Sequence, residues 1–128
     1  MTRTAVSTPD APAALGPYSQ AIVAQGLVFC SGMPGIDPHS GTVPDGIEAQ
    51  TEQALTNLGA VLTAAGSSLS HLVRTTIFYS DVEDFAALNA VYERFMPDPP
   101  PARSAPANVR LPRGLLVSID AIATLEAS

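Results

Sequence analysis

Residues 114–126, GLLVSIDAIATLE, alternate with a period of two. Leu115, Val117, Ile119, Ala121 and Ala123 fall on one side, and Leu116, Ser118, Asp120 and Ile122 on the other. Successive side chains of a strand point to opposite faces, so this segment is a strand with one wholly apolar face and one mixed face. Such a strand cannot stand alone. Its apolar face needs a covering layer, and the rest of the chain has to supply it.

Two segments have the helical period that could do so. In the first, Ala54, Leu55, Leu58, Val61, Leu62 and Ala65 recur at helix spacing, Asp45 and Glu48 form a capping-box pattern ahead of them, and Gly66 is a fitting stop. In the second, Ser80 and Glu83 repeat the capping pattern, Phe85, Leu88, Tyr92 and Phe95 form the apolar stripe, and Pro97 ends it. On this reading Asn89 stands beside that stripe rather than in it.

The remaining segments read as strands and loops. RTAVS is short and β-prone; residues 17–32, PYSQAIVAQGLVFCSG, form a hairpin around Gln25-Gly26; HLVRTTIFYS, residues 71–80, is β-branched and aromatic; ARSAPANVRLP follows a proline run. MPGIDPHSGTVPDG is a loop. The order is β-β-β-α-β-α-β-β, an α+β class with two helices packed on one face of a mixed sheet. At 128 residues, with no repeats and no long linker, one domain spanning 1–128 is expected.

Composition removes several functions. The formal charge of −6 disfavours a sequence-independent nucleic-acid binder, which needs a basic surface to displace counterions. The chain contains no lysine, which excludes a phosphate-loop lysine, a Schiff-base lysine and a lysine general base. His39 and His71 lack partners at metal-ligand spacing and read as surface or turn residues, so no metal is expected. The single Cys30 fits a reducing compartment, and no segment has the apolar length of a membrane span; a cytoplasmic location is the default. Charged residues make up only 14% of the chain, against about 25% in an average domain, so part of the surface is expected to be covered by another subunit.

Against this background, PDPPPARSAPANVRLPRG, residues 97–114, concentrates three of the six cations, Arg103, Arg110 and Arg113. A guanidinium is a planar fork matching a carboxylate at two points, and preceding prolines reduce the entropy lost in fixing it. Two readings of Arg103 stand: a receptor for a small carboxylate, or a salt bridge to one of the protein's twelve acidic residues. Tyr18 follows the rigid Gly16-Pro17 turn, and Ser31-Gly32 ends an apolar strand with a hydroxyl and an unobstructed amide. Asn89 could bond a loop or a ligand.

Together these pieces resemble the RidA/YjgF family of reactive-intermediate deaminases, also called the L-PSP endoribonuclease family. The resemblance covers nearly the whole chain: APAALGPYSQAI, FCSGMPGIDPHSGTVPDGIEAQTEQALTNL, DFAALNAVYERFM and PARSAPANVRLPRGLLVSIDAIA are similar to its signatures. It implies a chorismate-mutase-like, RidA-like fold assembled as a trimeric barrel, with three clefts between neighbouring subunits. It implies a hydrolytic deaminase converting 2-iminopropanoate and 2-iminobutanoate to 2-oxo acids and ammonia without a cofactor. Arg103 would grip the substrate carboxylate; Tyr18, Ser31, Gly32 and Asn89 would line the cleft.

Two departures stand out. Ala105 occupies the place of a family cysteine, and Ser118 that of a glutamate thought to position water, with Asp120 at the second acidic position. Asp120 shares a strand face with Ser118 about 6.5–7 Å further along, too far for direct replacement. The alternative reading is therefore a non-catalytic or differently reacting trimer that binds small 2-oxo or 2-imino carboxylates at Arg103 without speeding their hydrolysis. A ribonuclease draws no support from a lysine-free chain of net charge −6.

Overall fold

The structure, a computed structural model, describes residues 2–126. Six strands form one sheet: β1 (Thr4–Val6), β2 (Ala21–Ala24), β3 (Leu27–Pro34), β4 (Leu72–Tyr79), β5 (Ala102–Ser104) and β6 (Val117–Thr124). Their spatial order is β1-β2-β3-β6-β4-β5. All neighbours are antiparallel except β4 and β5, so the sheet is mixed. Helices α1 (Ile47–Ala64) and α2 (Phe85–Phe95) complete the predicted α+β order.

The alternating segment is where its pattern requires it to be. β6 lies in the middle of the sheet, with Val117, Ile119, Ala121 and Ala123 buried in the same core as Leu55, Leu58, Val61 and Leu62 of α1. Burial of each of the valine, leucine and isoleucine side chains contributes about 1.5–3 kcal/mol, and of each alanine less. Among the described residues no helix covers the opposite sheet face, where Phe29 and Val73 are exposed.

Local chemistry explains the element ends. Gln25 and Gly26 both have positive φ, 57° and 74°, the backbone of a tight hairpin turn matching the twist of β2 and β3. Gly66, at φ 87°, ends α1. Neither capping box forms. Gly46 is the N-cap of α1 and no side chain bonds the helix start, so Asp45 and Glu48 do not cap it. Ahead of α2, Asp81 rather than Ser80 accepts from the Glu83 N–H, at 2.9 Å, and starts a short 3₁₀ turn through Asp84. The segment after the prolines pairs as a strand over only three residues. Beyond them the Pro106 carbonyl accepts from the Tyr79 N–H at 3.3 Å and the Val109 N–H donates to the Tyr79 carbonyl at 3.0 Å, with Asn108 at φ 62° between, so the chain stays at the end of β4 without regular pairing.

Three buried amides tie the loops to this frame. Gln50 of α1 accepts from the Leu116 N–H at 2.9 Å and fixes the entry to β6. The Asn57 side chain donates to the Pro34 and Ile36 carbonyls at 2.8 and 2.9 Å and fixes the exit from β3. Gln20 accepts from the Thr8 N–H at 2.7 Å and donates to the Pro12 carbonyl at 2.8 Å, holding the N-terminal loop that carries Tyr18. Leaving a buried amide unpaired is costly, so these bonds hold the loops in place, and each lies beside residues singled out above.

Candidate active site

Arg103 is the middle residue of β5, in register with Thr75 of β4. Its side chain lies along α2, where Phe85, Asn89 and Tyr92 follow one another at i, i+4 and i+7 and so share one face. Nη1 donates to Asn89 Oδ1 at 2.7 Å. Cζ stands 5.0 Å from the centre of the Tyr92 ring and 5.6 Å from that of Phe85, within cation–π range of both. Asn89 thus lies beside the buried Leu88 and Tyr92 of the apolar stripe, half-buried and facing Arg103.

The salt-bridge reading of Arg103 fails. Among the described residues the ion pairs are His39–Asp10 and Arg94–Glu52, both at 3.9 Å, and no carboxylate comes within that range of Arg103. The side chain opens on a cavity of about 280 Å³ lined by Asn89, Tyr92, Glu93, Met96 and Pro100. Only one guanidinium N–H, on Nη1, is engaged among the described residues, which leaves the Nε/Nη2 edge with two parallel donors for an incoming acid.

Tyr18, Gly32 and Ser118 meet elsewhere, in a separate cleft of about 210 Å³ whose other walls include Leu15, Ile36 and Leu111. A Cβ on Gly32 would stand 2.7 Å from Ser118 Oγ, so glycine permits the close approach of the hydroxyl. The Tyr18 N–H bonds the Gly16 carbonyl at 2.8 Å, forming the tight turn expected after Gly16-Pro17, and its ring is half exposed. Ser31 has a different position: its hydroxyl donates to the Ser19 carbonyl at 2.6 Å, binding the N-terminal loop to β3 instead of facing the cleft.

Asp120 is half-buried further along β6, paired with Thr76, and is not a wall of either cavity; Ala105 packs against the core. Cys30 is buried, and that burial, with the Asp120 carboxylate adding to it, pushes its thiol up to about 12. His39 sits in the Asp37 turn and His71 bonds Ser68 Oγ at 2.9 Å, both as turn residues. Among the described residues no cluster of three or more His, Cys, Asp or Glu could hold a metal, and no helix is long and apolar enough to cross a membrane.

Within one chain the expected residues thus fall into two separate groups, Arg103 with Asn89 and Ser118 with Gly32 and Tyr18. Sequence reasoning missed Phe85, Tyr92 and Thr75 as neighbours of Arg103. The i, i+4, i+7 spacing around Asn89 was the available signal.

The family described as Endoribonuclease L-PSP matches residues 8–125. The chain belongs to this family, also named for RidA and YjgF. It is 44% identical over 124 residues to the 2-iminobutanoate/2-iminopropanoate deaminase of Capra hircus, covering 96% of this chain and 90% of that one. It is 49% identical over 121 residues to the chloroplastic Reactive Intermediate Deaminase A of Arabidopsis thaliana; these are 94% of this chain and 65% of that protein. The fold superposes on E. coli TdcF, solved with bound serine, with a TM-score of 0.90 at 35% identity, covering 96% and 99% of the two chains.

Proposed function

We propose that the protein is a hydrolytic deaminase of small 2-imino and enamine acids, 2-iminopropanoate and 2-iminobutanoate, yielding 2-oxo acids and ammonia. The observation that carries this reading is Arg103, a fixed guanidinium that opens on a cavity with no acidic partner within ion-pair distance. The names of the relatives supply the substrate class.

The chemistry is short. The Nε/Nη2 edge of Arg103 takes the substrate carboxylate at two points, which fixes the adjacent C2=N bond in space. Water adds to C2 as the imine nitrogen takes a proton. The carbinolamine then collapses: its hydroxyl proton passes to nitrogen, the C2–N bond breaks, ammonia leaves and the C2 oxygen becomes the ketone oxygen. The Ser118 hydroxyl, beside the bare backbone of Gly32, is the group on hand to hold the attacking water. The imine is itself the electrophile, so these steps call on no cofactor.

One site requires both half-sites. A homotrimer in which one copy presents Arg103 and Asn89 to the Tyr18–Gly32–Ser118 cleft of its neighbour would join them. The uncovered sheet face with Phe29 and Val73 is the surface available for that assembly.

One observation favours a second reading, a trimer that binds small 2-oxo or 2-imino carboxylates without turnover. Ser118 is a poor base, Asp120 lines neither cavity, and general-base assistance is worth about 10²–10⁴-fold. The two readings separate in an assay that generates 2-aminoacrylate in place and follows 2-oxo acid release, run beside calorimetry with 2-oxobutanoate. Deamination is expected above the uncatalysed rate, with Arg103→Ala losing about 10²-fold or more in kcat/KM because the carboxylate contact is charged and bidentate. Binding without acceleration would select the second reading, and a fully active Arg103→Ala would remove Arg103 from both.

A further inference from the structure

Arg103 does not set its own direction. β5 is a three-residue edge strand, so the backbone alone leaves a long side chain free to turn. What surrounds the guanidinium is a closed circuit of contacts. Thr75 is the register partner of Arg103 on β4. The Thr75 hydroxyl bonds the Tyr92 hydroxyl at 2.6 Å, with both side chains buried. The Tyr92 ring then faces Arg103 Cζ at 5.0 Å. The tether and the cation it supports therefore rise from neighbouring positions on one strand pair.

The buried hydroxyl pair is not needed to fill space. A phenylalanine over a valine would occupy almost the same volume with no polar group to satisfy, and replacing both partners of a buried hydrogen bond by apolar groups can be nearly neutral. What the pair adds is direction. Tyr92 is held at its backbone by α2 and at its ring tip by β4, so its ring cannot swing, and the face it offers to the guanidinium is fixed. Phe85 lies one stripe position away at 5.6 Å, and Asn89 between them takes Nη1. Burial raises the Tyr92 pKa, more than its Thr75 bond and the Arg103 charge lower it, so the phenol stays neutral and does not compete for the cation.

We propose that Tyr92, tethered to Thr75 and aided by Phe85, is the positioning residue of the carboxylate receptor: it fixes the plane of Arg103 so that the Nε/Nη2 edge points away from α2 toward an incoming acid. The inference rests on the reading of Arg103 as that receptor. Tyr92 is a wall of the cavity, but its hydroxyl is engaged by Thr75, so in this role it acts through Arg103 rather than through a polar contact of its own. It acts by removing alternative orientations of the fork before the ligand arrives, which lowers the entropic cost of two-point binding.

The test uses the full chain with Tyr92→Phe and the double variant Thr75→Val/Tyr92→Phe. Three quantities are read, with KM and kcat measured beside them: melting temperature, the dissociation constant for 2-oxobutanoate by calorimetry, and the Arg103 Nε–H resonance by NMR, assigned by its disappearance in Arg103→Ala. Tyr92→Phe is expected to weaken 2-oxobutanoate binding about tenfold, to broaden or lose the Arg103 resonance, and in turnover to raise KM more than it lowers kcat. It also leaves the Thr75 hydroxyl without its partner and lowers the melting temperature. The double variant removes that orphan, so it should recover the melting temperature while affinity and resonance stay impaired. A merely structural pair would recover all three together, and that result would overturn the proposal, as would wild-type affinity and resonance in Tyr92→Phe. Absence of any 2-oxobutanoate binding by the wild-type protein would count against the receptor reading of Arg103 itself, and the resonance would still judge the tether.

Discussion

Ser118 and Cys30 show how two small side chains in one sheet take opposite roles from their surroundings. Ser118 is on the uncovered side of β6, in an open cleft, with the Cα of Gly32 leaving it room. A carboxylate there could act as a base where a hydroxyl can only orient water, so Ser118→Glu is expected to raise deamination by about tenfold or more. The coupled 2-oxo acid assay reads this directly, and an unchanged or lower rate would show that the cleft does not face the reacting carbon. Cys30 lies on the covered side, where burial chiefly holds the thiol protonated up to about 12. The sign follows from proton counting. Between the ordinary thiol value of 9.0 and about 12 the unfolded chain has lost the proton that the native state keeps. Its contribution to stability is complete below the unfolded value and is lost as pH rises toward the folded one. Urea unfolding between pH 8 and about 10.5 should show wild-type stability falling more steeply than that of Cys30→Ala, by up to about 1.4 kcal/mol per pH unit.

At the scale of elements, the approach of α1 to the end of β3 sets where the cleft stands. A Cβ on Gly35 would press on the backbone of Gln50, its carbonyl oxygen, Cα and C, and backbone cannot rotate away as a side-chain tip can. Gly35→Ala should therefore push α1 from the sheet and cost about 1–3 kcal/mol, read as a lower urea midpoint. Gln50 also holds the Leu116 N–H, so the entry to β6 and with it Ser118 should shift, and deamination should fall further than in a surface variant of equal stability. The elements themselves were legible because their signals are short-range. Period two in 114–126, the Gln25-Gly26 turn and the apolar stripe of α1 each need only neighbours along the chain. The capping boxes misled for the same reason: Gly46 starts α1 at φ 89°, a positive-φ backbone that glycine adopts and no side chain caps, and Asp81 outcompetes Ser80 for the Glu83 amide. The seat of Arg103 was hidden because it joins β5, β4 and α2, and no local pattern says that Thr75 and Tyr92 will meet.

For the whole molecule, the decisive fact is that Arg103 and Ser118 do not share a cavity within one chain. If substrate is held by one and hydrolysed beside the other, two copies must contribute to each site. The chain has the surface for it: low charge overall, and a sheet face with Phe29 and Val73 exposed. Light scattering should give about three chain masses, and Val73→Asp, which places a charge on that face, should dissociate the assembly and abolish turnover with the helical signal intact. Subunit mixing tests the shared site more sharply. Arg103→Ala lacks the receptor, and Gly32→Val fills the space beside Ser118. Each alone should be inactive. Co-expressed in equal amounts, they form some interfaces in which an intact Arg103 faces an intact cleft, and random assembly in a ring makes these about one in four. Recovery of about a quarter of wild-type activity in the mixture is the expected result. A site contained in a single chain could not be rescued this way, since every chain in the mixture has one defect, and an inactive mixture of correctly assembled trimers would show that the two half-sites do not meet between copies.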